Sequence, residues 1–516
     1  MVFQTRILTT LLLGLVGTES ANILVAIPFP ANSHYVMQRP IGLELARRGH
    51  NVTVIAAFEE KDHPANYHQI ITDKTKLWNF LEISATDLVG KIAMQGAYSF
   101  TESLMTSKKL EEFLAQNVTF DLVIAEQFYL EALYMLAHKY GAPLVLISTF
   151  GNIVRHNFVT GNPMQFWTLP HELTVVPEPA SFQGRLKTFS ISVYEYFLWR
   201  LWYLPKQETL AKMYIPDLPQ PVPSLYEVQK NVSVLLINSH FTSDYPVAYL
   251  PNIVEVGGLH VTDVKNNSLP KDLQRVLDGA EHGIVYVNFG SNIQSTELPE
   301  DKINALINVF RKLKQTVIMK WEDDIFENQP KNLYVKKWLP QSTILAHPNI
   351  KVFVSHGGLI GTQEAIHNGV PIIGIPIFGD QYNNVLQIEA EGMGKMFNFH
   401  DLNENNLEII LKEFLNNNKY KEKAVEMSRR FKDRPMKALD TAIYWIEYVL
   451  RHKGANHIKN PAMKLSWIAY YNVDITLFVV IIVTLVLYIL CQLVLISKHI
   501  LCSNGMNKCK RKRKSS

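Results

Sequence analysis

Two stretches of the chain repeat one pattern: a short unbroken apolar run, then a segment in which apolar residues return every three or four positions. The first opens on Ile23-Leu24-Val25-Ala26-Ile27, a run suited to a strand buried on both faces. The spacing then predicts a loop over 28–36, a helix over 37–48 ended by Gly49, and a strand over 52–57. Further on it predicts a strand at 122–125, a helix over 129–139 closed by Gly141, and a strand at 144–147. The second stretch reads as strands at 284–289, 316–320, 333–336, 352–355 and 370–375, with helices over 299–313 and 362–368. Repeated strand–helix–strand units imply parallel, doubly wound sheets. The expected class is therefore α/β, with two facing Rossmann-like domains whose binding loops meet across a shared cleft. Between them, 151–249 is rich in aromatics and prolines (Trp167, Tyr194, Phe197, Trp199, Trp202, Tyr203) and follows no single period. It reads as helices and loops whose apolar side chains either pack or line a pocket.

The ends break the pattern. Arg6 precedes a mostly apolar run from Ile7 to Val16, followed by Gly17, Thr18, Ser20 and Ala21, the layout of a secretory leader cleaved after Ser20; a buried first strand is the alternative. Ile475–Ile496 is 22 residues without a charge. Trp467, Tyr470 and Tyr471 stand before it and Lys498 after it. That is long enough to cross a bilayer, and the basic tail would lie on the cytosolic side, leaving the body lumenal. A buried core helix is the bland alternative. The expected organisation is a leader over 1–20, a first domain over 21–260, a second over 261–434, a returning helix and juxtamembrane segment over 435–474, a span over 475–497 and a tail over 498–516.

Charge adds little once the tail is set aside. Its seven basic residues, removed from the 51 in the chain, leave 44 against 47 acidic ones, so the body is near neutral. No basic face suggests a nucleic-acid partner. Lys512 and Lys514 resemble a dilysine signal returning membrane proteins to the endoplasmic reticulum, and equally fit a stop-transfer cluster. Cys491, Cys502 and Cys509 all lie in or after the span, so the body has no cysteine to form a disulfide. Asn51, Asn117, Asn231 and Asn266 head N-x-S/T triplets, with Asn51 opening a predicted strand.

The chemistry concentrates between Trp338 and Gln381. His356, Gly357 and Gly358 stand where a strand turns into a helix, and a helix N-terminus offers N–H groups to a diphosphate. Glu364 follows as an acceptor for ribose hydroxyls, Trp338 as a flat face for a base with Gln341 beside it, and Asp380-Gln381 as a pair for sugar hydroxyls. A dinucleotide site competes, but Gly357-Gly358-Leu-Ile-Gly361 lacks the G-x-G-x-x-G spacing. Glu322-Asp323-Asp324 reads as a solvated loop rather than a metal site.

The block from Phe353 to Gln381 matches the UDP-glycosyltransferase signature at every fixed position, and the resemblance extends over nearly the whole chain, closest to the insect membrane-bound members. The resemblance implies the GT-B fold with the donor on the second domain. Carried over by motif, Trp338 and Gln341 hold the nucleoside and Glu364 the ribose. Ser291, His356 and Gly358 hold the diphosphate, while Asp380 and Gln381 orient the sugar. Vertebrate members have Asn at the position of Ile360, so a backbone N–H such as that of Gly361 would substitute. His34, in the first strand–helix loop, falls where the family's catalytic histidine lies. Its partner aspartate is replaced by Glu126 in Phe120-Asp121-Leu-Val-Ile-Ala-Glu126. An imidazole can take a proton from a hydroxyl at neutral pH, and a glutamate can stabilise the imidazolium.

The expected activity is an inverting, metal-independent transfer of a hexose, glucose before glucuronate, from a UDP-sugar to a hydroxyl of a small lipophilic acceptor, as in detoxification. No cofactor is expected, the UDP-sugar being a co-substrate. A silent sugar-nucleotide-binding protein is the rival. Homo- or hetero-oligomers stay open.

Overall fold

The computed structural model describes residues 20–73, 91–172, 174–176, 178–261, 269–291, 293–323, 326 and 328–513. The leader before Ser20, Asn266, Asp324 and Lys514 at the end of the tail lie outside them.

The first sheet is parallel throughout, in the order β3-β2-β1-β4-β5-β6-β7. Its strands are β1 (Asn22–Ile27), β2 (Asn51–Ala56), β3 (Tyr67–Ile71), β4 (Leu122–Glu126), β5 (Leu144–Ser148), β6 (Val232–Ile237) and β7 (Ile253–Glu255). The unbroken apolar run of β1 follows from its place at the centre. Leu24 and Ala26 enter the core on one face, while Ile23, Val25 and Ile27 enter the core on the other. Because successive side chains point to opposite faces, a strand covered on both sides has no polar positions to spare.

The second sheet, order β10-β9-β8-β11-β12-β13, is also parallel. It comprises β8 (Ile284–Asn288), β9 (Thr316–Lys320), β10 (Leu333–Lys336), β11 (Ile350–Ser355), β12 (Ile372–Gly374) and β13 (Gly394–Met396). Val285 and Val287 face one core, Ile284 and Tyr286 the other.

The helices include α1 (Asn32–Arg47), α2 (Phe182–Leu198), α3 (Leu359–Asn368), α4 (Gln381–Ala390), α5 (Ala438–Arg451) and α6 (Val473–Arg513). After the second sheet the chain returns to the first. Ala442, Ile443, Ile446 and Val449 of α5 join the core cluster of Ile23 and Val25. Burying each of its larger aliphatics contributes roughly 1.5–3 kcal/mol. Polar contacts also join the two sheets' surroundings: Gln363 Nε2 donates to Asn238 O at 3.0 Å, Asn383 Nδ2 to His171 O at 3.2 Å, and Arg434 Nη1 to Gly257 O at 2.9 Å.

Residues up to Lys459 form one compact unit, and Asn460–Ser516 another. The second unit contains one helix long and apolar enough to cross a membrane, over Val473–Ile500, with its side chains exposed.

Several local expectations change. His34 stands in the first turn of α1 rather than in a loop, because the helix starts at Asn32 with Tyr35 N donating to Ala31 O at 3.2 Å. The middle segment contributes β6, a fully buried strand of the first sheet. Its aromatics do not line the main cavity: Trp199 and Tyr203 are core residues, while Trp167, Tyr194 and Phe197 are exposed. Asn117 and Asn231 are exposed, whereas Asn51 is half-buried, its Nδ2 donating to Asn22 Oδ1 at 3.0 Å.

Candidate active site

In a doubly wound sheet, neighbouring strands whose connections run to opposite sides leave a crevice beyond their carboxyl ends. Here β1 and β4 form that crevice in the first sheet, and β8 and β11 in the second. His34 follows β1 and Glu126 ends β4; Ser291 follows β8 and His356 follows β11. The two crevices share one cavity of about 450 Å³. His34, Ser291, Trp338, Gln341, His356, Gly358, Gly361, Glu364, Asp380 and Gln381 all line it. Glu126 stands behind His34, fully buried.

At the first crevice, His34 Nδ1 hydrogen-bonds Glu126 Oε1, and Thr149 Oγ1 lies 3.3 Å from the same nitrogen. A carboxylate only accepts, so Nδ1 carries the hydrogen, and in the neutral ring Nε2 keeps a lone pair. Phe29, Phe128 and Phe150 surround the imidazole, with ring centroids 4.5, 4.9 and 6.0 Å away. This apolar collar narrows the directions from which a hydroxyl can reach Nε2.

At the second crevice, Gly358 caps α3 with no side-chain bond to the first turn. The first-turn N–H groups have no acceptor within the helix, which makes the end a site for an anion. The His356 ring packs between two glycine backbones. A Cβ on Gly290 would come within 2.7 Å of the ring, and one on Gly358 within 2.5 Å of Nε2. Burial and then the charge of Lys320 push the His356 imidazole down to about 4, so it is neutral near pH 7. Lys320, at the end of β9, also lines the cavity; its Nζ donates to Gly290 O at 2.7 Å and Glu322 Oε1 at 2.8 Å. The sequence offered no signal for Lys320, a lone basic residue at a strand end.

Glu322 consequently departs from its expected solvated loop. Besides pairing with Lys320, it accepts from Ser295 N at 2.8 Å, and of the two described residues of the run only Asp323 is exposed. Gln341 also carries contacts that the sequence did not show. Its carbonyl accepts from Asn288 Nδ2 at 2.7 Å and its amide donates to Glu364 Oε2 at 2.6 Å, a strut that aims Glu364. Burial pushes the Glu364 carboxyl up to about 7. Trp338 is 64% exposed, leaving its face open to a planar base.

Asp380 is the N-cap of α4 and Gln381 its first residue. Gln381 Oε1 accepts from the backbone of Ile377 and Phe378 at 2.9 and 3.1 Å, so its NH2 is the end it can offer a ligand. Asp380 Oδ2 accepts from Asn384 at 2.8 Å, and burial raises its carboxyl. Ile360 packs against the core of the first sheet and its carbonyl lies 3.2 Å from His260 Nε2. An apolar residue there serves the contact between the domains.

The far wall of the cavity holds Arg155 and Glu172, neither singled out by the sequence. Among the described residues, His171, Glu172 and Glu195 form the one group spaced to ligate a metal. Arg155 already fills the cation's place: its Nη2 bonds Glu195 Oε1 and lies 3.9 Å from Glu172 Oε1. Burial opposes the charge on Glu195, yet Arg155 and His171 hold its carboxyl down.

Comparisons with known proteins agree with this geometry. The family model described as UDP-glucoronosyl and UDP-glucosyl transferase matches residues 56–508. The chain is 34% identical to UDP-glycosyltransferase UGT5 of Dactylopius coccus, over 94% of this chain and 93% of that one. It is 30% identical to UDP-glucuronosyltransferase 1A3 of Rattus norvegicus, over 97% and 95%. Among solved structures, it resembles a UDP-glucose:anthocyanidin 3-O-glucosyltransferase in complex with UDP, with a TM-score of 0.57 and 18% identity, covering 83% of this chain and 99% of that one. That likeness establishes the GT-B fold. With the family model spanning most of the chain and relatives matched nearly end to end, the protein belongs to the UDP-glucuronosyl and UDP-glucosyl transferase family and is a glycosyltransferase.

Proposed function

We propose that this enzyme moves glucose from UDP-glucose to a hydroxyl of a small lipophilic acceptor, in one inverting step that needs no metal or other cofactor. The observation that carries the reading is the His34–Glu126 pair, which faces the α3 N-terminus and His356 across one cavity. His34 Nε2 takes the acceptor's proton as the acceptor oxygen bonds the anomeric carbon, and the bond from that carbon to the diphosphate oxygen breaks. Glu126 stabilises the imidazolium. The departing charge falls on the α3 backbone, His356 and Lys320, groups fixed before the reaction begins. Trp338, Glu364 and Ser291 would hold the rest of the donor.

Glucose is favoured over glucuronate because Asp380 and Glu172 both line the cavity and the charge of Glu172 further raises the Asp380 carboxyl. A uronate would bring a third carboxylate there. The rat relatives named as glucuronosyltransferases make UDP-glucuronate the second donor to assay. The phenylalanine collar supports an apolar, aromatic acceptor and hence a role in detoxification. A body held in the lumen of the endoplasmic reticulum by the apolar helix, with glycans on Asn117 and Asn231, completes the proposal.

The test is H34A in the full chain. It should bind UDP-glucose as the parent does and lose about 10²–10⁴-fold in kcat with a phenolic acceptor. Near-parental turnover would overturn the assignment.

A further inference from the structure

Asn288, the last residue of β8, is the node of a hydrogen-bonded line along the donor side of the cavity. Its Oδ1 accepts from Gly290 N at 2.9 Å, while its Nδ2 donates to Gln341 Oε1 at 2.7 Å and to Tyr286 Oη at 3.1 Å. Gln341 Nε2 in turn donates to Glu364 Oε2 at 2.6 Å. At the other end, Gly290 O accepts from Lys320 Nζ at 2.7 Å. Glu322 then ties that ammonium to Ser295 N, accepting from each at 2.8 Å. The line thus runs from Glu364 to the turn that carries Ser291.

The line has a direction, and its two ends fix it. A backbone N–H only donates and a carboxylate only accepts, so Gly290 N demands the oxygen of Asn288 and ionised Glu364 demands the N–H of Gln341. Turning either amide over would set donor against donor on one side and acceptor against acceptor on the other. Hydrogen bonds aligned head to tail polarise one another, so each link strengthens the next. Tyr286, buried and stacked on Phe353 with ring centroids 5.1 Å apart, steadies the Asn288 amide from the core side. Both N–H groups of Asn288 are engaged in this way, so its amide acts on a ligand through its neighbours.

We propose that Asn288 is a positioning residue that holds the ribose subsite at Glu364 and the diphosphate subsite at Gly290 and Ser291 in fixed register. This rests on the donor site proposed above, in which Glu364 takes the ribose and Ser291 the diphosphate. In a nucleotide the ribose joins the first phosphate through one carbon and one oxygen, so the two subsites grip a short, nearly rigid piece. An error of about 1 Å in their separation costs one grip or the other. The diphosphate turn needs such a tie. Gly290 has a φ of +90° and no room for a Cβ beside the His356 ring, so the turn is held through its backbone. Asn288 takes the N–H of Gly290 and Lys320 its carbonyl, and of these two Asn288 alone also reaches Gln341.

The test compares uridine, which uses the base and ribose subsites, with UDP, which adds the diphosphate, by displacement calorimetry on the full chain in detergent. N288A should weaken uridine about fivefold and cut the preference for UDP over uridine by about a further fivefold, each the worth of one lost hydrogen bond. A residue that only props Gln341 would weaken both ligands equally and leave the preference intact. One that only stabilises the fold would lower Tm and leave both affinities intact. Either result overturns the proposal. N288S keeps a neutral oxygen that accepts from the N–H two residues on, but is too short to reach Gln341. It should restore the preference for UDP to within about twofold of the parent while uridine stays about fivefold weaker. Where N288A does not fold, N288S decides: parental uridine affinity, or a UDP preference that falls as well, overturns the proposal. A parent that binds UDP no more tightly than uridine has no diphosphate subsite, and the donor-site reading then fails with the proposal. A parental preference that N288A leaves unmoved refutes the proposal alone.

Discussion

Glu364 offers the clearest quantitative handle on the donor site. It is 7% exposed, and burial pushes its carboxyl from 4.5 up to about 7. A raised carboxyl favours the folded state when protonated: its contribution is complete below the unfolded value near 4.5 and is lost as pH rises through about 7. At 1.36 kcal/mol per pKa unit, the gap amounts to about 3 kcal/mol. E364Q keeps the acceptor for Gln341 and cannot ionise, so its stability should lack this slope. For the unit ending at Lys459, an unfolding entropy of roughly 2 cal/mol/K per residue converts 3 kcal/mol into about 3 °C of Tm. The Tm difference between E364Q and the parent should therefore grow by about 3 °C from pH 5 to pH 8. Donor affinity should move the other way. Ribose hydroxyls donate more strongly to a carboxylate than to a carboxylic acid, so parental affinity for UDP-glucose should rise through pH 7. A charge-assisted bond is worth about 1.5–3 kcal/mol, so E364Q should bind at least about tenfold more weakly at pH 8 and show no rise. Thermal unfolding monitored by tryptophan fluorescence and titration calorimetry with UDP-glucose measure the two effects. Parallel Tm curves, together with an unchanged affinity at pH 8, would refute the reasoning.

The remaining predictions are narrower. E126Q should lower kcat by about 10²–10⁴-fold with donor binding intact, because an amide cannot stabilise the imidazolium; steady-state kinetics decide it. W338A should weaken UDP binding by about 1–3 kcal/mol, the worth of stacking one base, as read by calorimetry. G358A puts a methyl group where the His356 ring sits, 2.5 Å from Nε2, and should raise KM for UDP-glucose about tenfold or more while leaving KM for the acceptor unchanged.

Much was legible along the chain because the physics is local. An apolar run such as Ile23–Ile27 suits a strand covered on both faces of an α/β body, and 22 uncharged residues at Ile475–Ile496 make a helix long and apolar enough to cross a membrane. The block from Trp338 to Gln381 declares its chemistry because its groups lie on consecutive strand–helix turns, close in sequence as well as in space. What the sequence could not contain is how distant side chains divide their hydrogen bonds. Gln341 turns out to strut Glu364, Glu322 to hold Lys320, and Arg155 to occupy a place that three nearby ligand-type residues would give a metal. The return of α5 to the first sheet is likewise a tertiary decision. A periodic pattern shows that a helix has an apolar face, and only packing decides which sheet that face covers. By itself, then, the sequence determined two parallel sheets, a helix long and apolar enough to cross a membrane and a nucleotide-sugar motif, since each rests on short-range periodicity or spacing. The tertiary structure decided that His34 and Glu126, 92 residues apart, meet opposite that motif, because only the adjacency of β1 and β4 brings them together.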